Sequence, residues 1–234
     1  MKFFFFFSVF FLLSACNFEA VKGSDVITQK SFDITDFTEI DVSSAIEVEL
    51  IQSDDYSVTL ESNDNVVELI DISKKEETLR IKAKDNYAFT DVKIKITIHA
   101  PAINRIESSG ASSIAIEDYE AKTFELDFSG ASDIDAKLII SEELKIEASG
   151  ASNIKLRGKA KNVSLDLSGA SDFDSKKLIV SDKLTAESSG ASSIKVTANG
   201  TLELDVSGAS EVTYYGNGTI SKSDISGAGS VEKK

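Results

Sequence analysis

Residues 105–134 carry the pattern that determines the fold, RIESSGASSIAIEDYEAKTFELDFSGASDI. The tetrapeptide Ser-Gly-Ala-Ser occurs twice in this stretch and recurs through the second half of the chain. Its copies begin at Ser109, Ser129, Ser149, Ser168, Ser189 and Ser207, and the variant Ser-Gly-Ala-Gly begins at Ser226. Successive copies therefore begin roughly 20 residues apart, a period typical of repeat architectures. Such a period indicates one small unit stacked many times, each copy burying its apolar face against its neighbours.

The residues around each motif alternate as they do in a β-strand. The third residue before the first Ser is apolar in six of the seven copies: Ile106, Leu126, Ile146, Leu165, Ala186 and Leu204, with Ser223 in the last. The second residue before it is always acidic: Glu107, Asp127, Glu147, Asp166, Glu187, Asp205 and Asp224. After the motif, one polar residue precedes an apolar one: Ile114, Ile134, Ile154, Phe173, Ile194, Val212 and Val231. This alternation predicts strands on both sides of each motif, with the apolar side chains inside and the acids outside.

The motif itself has the composition of a corner. Its Gly can adopt backbone conformations closed to other residues, and its serines can hydrogen-bond backbone groups that a bend leaves unpaired. We expect the small Ala to fit inside the bend. Strand, corner, strand and loop, repeated, predict an all-β fold of the β-solenoid type.

A second periodicity leaves two alternatives for the repeat. The residue just before the motif alternates between small and bulky: Ser108, Phe128, Ala148, Leu167, Ser188 and Val206. In the first alternative, successive coils of about 20 residues interdigitate small side chains with large ones. In the second, one coil of about 40 residues has two similar halves.

Composition is consistent with one elongated all-β domain and excludes one class of partner. No helical period is sustained in the repeat region, and the 234 residues contain a single Pro. The formal net charge is −14, which repels nucleic-acid phosphates. We therefore expect no nucleic-acid binding.

The N-terminus has the features of a lipoprotein signal peptide. Lys2 precedes an apolar run, and the sequence Leu13-Ser14-Ala15-Cys16 resembles the bacterial lipobox, which is cleaved before the Cys. The run is too short to span a membrane as a helix. Residues 1–15 are thus predicted to be a signal peptide, and Cys16 the lipid-attachment site. The alternative is an ordinary secretory signal followed by an incidental Cys.

The rest of the chain divides at the first motif. Residues 16–30 are interpreted as a tether that holds the domain off a membrane, since more than one acyl chain on Cys16 would anchor it stably. Residues 31–104 lack the period but contain predicted strands and one short helix at 65–70. This segment is predicted to cap the solenoid or to form its first irregular coils. Residues 105–234 form the repeat region, and residues 31–230 are expected to be one continuous domain.

Several short matches in order resemble one bacterial family. They are Phe32-Asp-Ile, Ile40-Asp-Val, Ile46-Glu-Val-Glu-Leu, Leu79-Arg-Ile, Ile96-Thr-Ile-His-Ala-Pro101, the repeated motif, and Val212-Thr-Tyr-Tyr-Gly216. The chain resembles the DUF2807 family, described as "putative auto-transporter adhesin, head GIN domain", over roughly residues 31–230. The resemblance implies a right-handed parallel β-helix, a location in the cell envelope and membership of a group common in Bacteroidetes lipoproteins. It brings no catalytic or ligand-binding residues with it.

The sequence favours a binding protein over an enzyme. Other parallel β-helices cleave acidic polysaccharides with clustered carboxylates, but here the acids are spread one per repeat. His99 is the only histidine, and seven equivalent serines cannot each have a catalytic base. We therefore expect no catalytic residues, no cofactor and no metal. One alternative is that Ca²⁺ binds between stacked carboxylates, which would otherwise repel one another.

These observations lead to one functional hypothesis and two alternatives. The hypothesis is a lipid-anchored module of the cell envelope, which we expect at the outer membrane, that binds a glycan or a protein without catalysis. The first alternative is a structural spacer that self-assembles into a homo-oligomer, because the last coil has little sequence after it to cover it. The second alternative is an enzyme acting on polysaccharide, which a surface cluster of carboxylates and aromatic residues would favour. Tyr214 and Tyr215 are the only adjacent aromatic pair outside the leader.

Overall fold

The computed structural model describes residues 19–234, so the predicted signal peptide and Cys16 lie outside the described residues. Within this range the strands are β1 (Glu19–Lys22), β2 (Ile27–Phe32), β3 (Glu39–Ser43), β4 (Glu47–Gln52), β5 (Ser57–Asn63), β6 (Ile70–Lys75), β7 (Thr78–Ala83), β8 (Tyr87–Thr90), β9 (Ile94–Ala100), β10 (Arg105–Gly110), β11 (Ser113–Gly130), β12 (Asp133–Gly150), β13 (Asn153–Gly169), β14 (Asp172–Ser188), β15 (Ser193–Ala198), β16 (Thr201–Val206), β17 (Glu211–Tyr215), β18 (Thr219–Ile225) and β19 (Ser230–Lys233). The predicted short helix at 65–70 is a 3-10 turn, Val67–Leu69.

Strands of the repeat region stack in parallel and in register. Ile106 of β10 pairs with Leu126 of β11, and Leu126 pairs with Ile146 of β12. Paired residues are therefore one motif spacing apart, so each coil contains one motif. The predicted parallel β-solenoid is confirmed. Its coils are about 20 residues long, and a coil of about 40 residues with two motifs is excluded.

Each full coil of the repeat region has three straight segments, which we name A, B and C. In β11 they are residues 113–116, 119–121 and 123–130, and the register with β12 shifts between them. Segment A follows the Ser-Gly-Ala-Ser corner, and segment C leads into the next one. Outward side chains at equivalent positions of successive coils consequently form columns along the solenoid, spaced at roughly 4.8 Å.

The interior is one continuous apolar column. The predicted inward positions of segment C are buried in every coil except the last, as are those of segment A. The alternating set at the end of segment C is buried as well: Ser108, Phe128, Ala148, Leu167, Ser188 and Val206. These residues belong to successive coils. The alternation of small and bulky residues before the motif is therefore explained by small side chains of one coil interdigitating with large ones of the next.

The Gly of each motif is required by its position. In the seven motifs its φ lies between +70° and +115°, a range that other L-residues rarely adopt. A Cβ built on Gly130 would lie 2.3 Å from the carbonyl oxygen of Gly110 in the preceding coil. That carbonyl accepts a hydrogen bond of 2.7 Å from the N–H of Ala131, and the same bond recurs at the following corners. The corners therefore stack on one another through their backbones, with no room for a side chain at Gly.

The expectation that Ala fits inside the bend is wrong. The Ala of each motif is exposed, whereas the last Ser is buried in all six complete motifs: Ser112, Ser132, Ser152, Ser171, Ser192 and Ser210. The reason is that inward and outward residues keep alternating through the corner. Counting back from the buried apolar residue after the motif, the last Ser of the motif lies inside and the Ala before it lies outside. Ser112 Oγ donates to the carbonyl of Ser44 at 2.9 Å, as expected of a corner Ser. Within residues 19–234, Ser152 Oγ is buried without a hydrogen-bond partner.

Residues 39–100 form the first coils. β3 and β4 pair in parallel with β10 and β11, and β7 and β9 pair in parallel with β3 and β4. Beyond these strands, β6 pairs antiparallel with β7, β5 with β9 and β2 with β5. The antiparallel strands thus cover edges that the parallel stack would otherwise leave open at this end.

The described part of the predicted tether differs from the expectation. Within residues 19–30, β1 pairs in parallel with β8, and β2 continues the antiparallel edge on β5. Side chains far along the sequence hold the connection: Asn63 Nδ2 donates to the carbonyl of Ser24 at 2.6 Å, and Asn65 Nδ2 to that of Lys22 at 2.8 Å. Asn63 and Asn65 are 39 and 43 residues away from the carbonyls that they bind, so the local composition of this polar segment does not reveal them.

The last described coil has one uncovered side. β18 pairs with β16 and β19 with β17, and among residues 19–234 no strand lies beyond them. Ile220 and Ile225 of β18 stack on the buried Leu202 and Val206 but are 41% and 47% exposed. On this side of the described residues, the interior column therefore carries two partly exposed isoleucines.

The Gly130→Ala variant tests the stacked corner. We expect it to lower the free energy of unfolding by about 2 kcal/mol or more, because the new Cβ meets the Gly110 carbonyl and φ is positive. Urea denaturation followed by circular dichroism measures the change. The neighbouring Ala131→Ser is the control: Ala131 is exposed, and we expect a change within about 0.5 kcal/mol. Equal stability of the two variants would contradict the packing described for the corner.

Candidate ligand-binding surface

The acidic residue of each motif contributes to one outward column, as predicted. We name Asp41, Glu107, Asp127, Glu147, Asp166, Glu187, Asp205 and Asp224 the acidic column, since they pair in register from coil to coil. Arg80 of β7 stands in register beyond Asp41 and places a cation at this end of the column. The column lies on segment C and its N-terminal equivalents.

Two basic side chains neutralise part of the acidic column. Arg105 contacts Glu125 Oε1 at 2.7 Å through Nη1 and Asp127 Oδ2 at 2.6 Å through Nη2, and Glu107 lies 3.6 Å away. Burial of Arg105 opposes its charge, but these three carboxylates outweigh that effect and raise its pKa. Lys145 bridges Glu147 at 2.6 Å and Glu125 at 3.1 Å, and hydrogen bonds to both raise its pKa. These contacts occupy the space between carboxylates of adjacent coils.

The described part of the chain contains no preformed site for the Ca²⁺ that the stacked carboxylates could bind. Among residues 19–234, no three His, Cys, Asp or Glu side chains come together in an arrangement that could hold a metal ion. Each coil contributes one regular carboxylate to the acidic column, and a hard cation such as Ca²⁺ takes 6–8 oxygen ligands.

The residues considered for catalysis lie apart. His99 is on the outward side of β9, paired with Ile51 and Ser57. Ser112 and Ser192 direct their hydroxyls to backbone carbonyls. Tyr214 is buried, with Lys233 Nζ 5.6 Å from its ring centre, so Tyr214 and Tyr215 do not form an exposed aromatic platform.

A groove with a different character crosses β12, β13 and β14 at the bend between segments A and B. We name it the basic groove: it has a volume of about 320 Å³ and is lined by Asp135, Lys155, Leu156, Arg157, Asp174, Lys176 and Lys177. Four of these residues are cations and two are carboxylates, in a protein whose net charge is −14. The groove is thus a local excess of positive charge on an acidic molecule.

Irregular strand geometry forms the basic groove. Between the pairs Ile154–Phe173 and Arg157–Lys177, β14 has one more residue than β13. In the next coil, β15 has no counterpart for residues 176–178, because Ser175 pairs with Val196 and Ile179 with the adjacent Thr197. Lys176 and Lys177 therefore stand on a bulge that the following coil leaves uncovered.

The cations of the basic groove are incompletely paired. Arg157 Nη2 lies 2.8 Å from Asp135 Oδ1 and 4.0 Å from Glu117 Oε1, while Lys176 Nζ lies 3.6 Å from Asp174 Oδ1. Arg157 Nε is buried with no hydrogen-bond partner among residues 19–234. Over the same residues, neither Lys155 nor Lys177 has a carboxylate oxygen within 4.0 Å. The groove therefore has positive charge available for a ligand.

An apolar strip borders the basic groove on segment B. Ile139 and Ile179 are 47% and 37% exposed, and they stand on either side of Lys159 in one column. Cationic and apolar groups thus share this side of the solenoid.

Sequence reasoning missed the basic groove, although one signal was present. Lys137, Arg157 and Lys177 recur at the spacing of the motif, and the structure pairs them in register in three successive coils. The motif and its acids dominate the repeat, and they give no indication of this column of cations. The bulge at Lys176 and Lys177, which opens the groove, has no signature in the repeat.

The Arg105→Gln variant tests the bridge over the acidic column. We expect the free energy of unfolding to fall by about 1–2 kcal/mol, because the carboxylates of Glu125 and Asp127 lose their shared hydrogen-bonded cation. Arg80→Gln, whose only carboxylate contact in the described chain is Asp41 at 3.6 Å, should cost less than about 1 kcal/mol. Urea denaturation at low and high salt measures both, and the Arg105 effect should shrink with salt. An Arg105 effect no larger than that of Arg80 would refute the bridge.

None of the described residues, 19–234, forms a helix long and apolar enough to span a bilayer. Solved structures share the solenoid. A "putative adhesin" from Bacteroides fragilis superposes with a TM-score of 0.86 at 23% sequence identity, over 92% of this chain and 100% of that one. A "putative lipid binding protein" from Parabacteroides distasonis gives 0.68 at 18%, over 92% and 100%. A "putative adhesin" from Parabacteroides merdae gives 0.63 at 14%, over 92% and 99%. At these identities the likeness shows the fold.

No protein of curated function matches the chain. The model of one family does match, over residues 36–218, which is most of the chain and includes six of the seven motifs. The chain therefore belongs to the DUF2807 family, described as "putative auto-transporter adhesin, head GIN domain".

Proposed function

We propose that this chain is a lipid-anchored protein of the cell envelope that binds an extended partner, a glycan or a protein, on the outside of its solenoid and does not catalyse a reaction. The observation that carries the proposal is the basic groove with its neighbouring apolar strip. Regular columns of side chains about one strand spacing apart suit a partner that is itself a repeating polymer.

The family description supports an adhesin-like binding role and a location at the surface or in the envelope. The lipobox at Leu13–Cys16 supports the anchor: acyl chains on Cys16 would hold the protein at a membrane, where we place it at the outer membrane. With β1 and β2 packed against the domain, only the residues between Cys16 and Glu19 would separate the solenoid from its anchor.

A non-catalytic role agrees with the chemistry of the surface. The two carboxylates that line the basic groove each lie within 4.0 Å of a cation, Asp135 beside Arg157 and Asp174 beside Lys176. The described residues bring neither His99 nor a tyrosine into its lining. General acid–base catalysis needs a positioned group that can exchange a proton with the substrate, and both carboxylates of the groove contact cations of the protein instead.

Self-assembly is a second candidate function, favoured by the uncovered side of β18. Ile220 and Ile225 are exposed beside a row of backbone groups on an edge strand, which is a surface that another strand can pair with. The two functions are compatible, because β18 and the basic groove lie in different coils.

Metabolic labelling with palmitate tests the anchor. In a bacterial host we expect the wild-type chain to incorporate label and to lose residues 1–15, because the lipobox directs acylation and cleavage at Cys16. Cys16→Ser should remain unlabelled and keep its full length. Intact mass spectrometry of both forms measures the outcome. An unlabelled wild-type chain that is cleaved at another position would show an ordinary secretory signal.

Binding to isolated cell envelopes tests the partner. We expect saturable binding of the purified full-length protein in nanodiscs, measured by biolayer interferometry against immobilised envelope fragments. Periodate treatment of the fragments, which destroys sugars, should abolish the binding if the partner is a glycan, and protease treatment if it is a protein. Nanodiscs without the protein are the control. Absence of saturable binding, together with end-to-end assembly of the protein, would contradict the binding role in favour of the second candidate.

A further inference from the structure

We propose that the basic groove binds the carboxylate groups of an acidic polysaccharide, a polymer of uronic acids, laid along the solenoid across successive coils. This inference rests on the proposed function and specifies its partner.

A column of cations defines the direction of the ligand. Lys137, Arg157 and Lys177 pair in register on β12, β13 and β14, so they follow one another along the solenoid axis. Like charges one strand apart repel and are unfavourable in the free protein. Lys155 and Lys176 extend the positive surface into the groove beside this column. A ligand that lies along the axis and carries regularly spaced anions would relieve the repulsion.

Lys137 forms an ion pair with Asp118, but the other two cations of the column have capacity for such anions. Arg157 is planar and has several N–H donors, but the nearest carboxylate, Asp135, takes up only Nη2. Lys177 has no carboxylate oxygen within 4.0 Å among residues 19–234. Carboxylates of a ligand would make charge-assisted hydrogen bonds with both side chains, and these are stronger than neutral ones.

The charge density of the ligand distinguishes between polymers. Cations on adjacent coils of the column are about 4.8 Å apart. A uronic-acid polymer has one charge per sugar, far fewer than the one charge per roughly 1.7 Å of duplex DNA, so the acidic remainder of the protein repels it less.

The surroundings of the basic groove agree with a sugar ligand. Ile139 and Ile179 flank Lys159 beside the groove and can pack against the C–H faces of sugar rings. The acidic column lies on segment C, away from the A–B bend, and salt screens charges beyond about 8 Å at physiological ionic strength. At the bend itself, Asp118 of β11 is paired with Lys137 and Glu117 lies 4.0 Å from Arg157, so the local excess of cations lies on β13 and β14.

Calorimetry with defined sugars tests the proposal. The full-length protein in nanodiscs is titrated with oligogalacturonate, with the fully methyl-esterified oligomer, which lacks the charge, and with inorganic phosphate. We expect binding of oligogalacturonate that weakens with added salt, and much weaker binding of the ester and of phosphate. Equal binding of the esterified oligomer would overturn the role of the carboxylates. Binding of phosphate as tight as that of the oligomer would show a general anion site and overturn the assignment to a polysaccharide.

Matched variants locate the site. Arg157→Gln combined with Lys177→Gln should weaken oligogalacturonate binding about tenfold or more, because two charge-assisted contacts are lost. The control, Arg80→Gln combined with Lys75→Gln, removes the same charge from β7 and β6 and should change binding less than about twofold, because both residues lie outside the basic groove. Thermal melting confirms that each variant is folded, and Lys177→Gln alone serves if the Arg157 change prevents folding.

Failure of this proposal can be distinguished from failure of the proposed function. If the wild-type protein binds envelope fragments but not oligogalacturonate, or if the groove variant and the control bind the oligomer equally, the acidic-polysaccharide assignment is wrong and the binding role stands. If the wild-type protein binds neither the fragments nor the oligomer, both are wrong.

Discussion

The stacking of one glycine corner on the next sets the geometry of the whole solenoid. The carbonyl of Gly110 accepts a hydrogen bond from the N–H of Ala131, and a Cβ on Gly130 would collide with that same carbonyl. The backbones of successive corners can therefore approach closely only where Gly is present. Because this contact is repeated at each motif, it sets the register of the strands that enter and leave every corner.

The fixed register converts a repeated sequence into aligned columns. Inside, it brings Phe128 between Ser108 and Ala148, so that a large side chain fills the space left by two small ones. Outside, it aligns acids on segment C and cations at the bend between segments A and B. The acids are partly neutralised by Arg105 and Lys145, whereas the cations of the basic groove are only partly paired. An anionic ligand can therefore lower the electrostatic free energy at the groove, whereas the bridged part of the acidic column is already neutralised by cations of the protein.

Much of the fold follows from the sequence, because the motif and the alternation around it report local, repeated geometry. The inward apolar positions, the outward acids and the parallel solenoid are all predicted. The local bend suggests that the Ala of the motif lies inside, but the strand alternation continues through the bend and places it outside. The pairing of β1 and β2 does not follow from the sequence, because Asn63 and Asn65, which hold this segment, are far away along the chain. The basic groove depends on a bulge at Lys176 and Lys177 and on the shorter β15, and irregularities of this kind leave no trace in a repeat.

Engineered disulfides test whether residues one motif apart are direct neighbours. Thr123 pairs with Glu143 in the adjacent coil, and Glu143 pairs with Asn162 in the next, so Thr123 and Asn162 are two strands apart, at about 10 Å. In a Cys16→Ser background, which removes the only native thiol, mild oxidation should cross-link Thr123→Cys with Glu143→Cys, because their Cα atoms lie within disulfide reach. Thr123→Cys with Asn162→Cys should remain reduced within one molecule. Cross-linking of the second pair but not the first, measured by intact mass, would show a coil that contains two motifs and contradict this account.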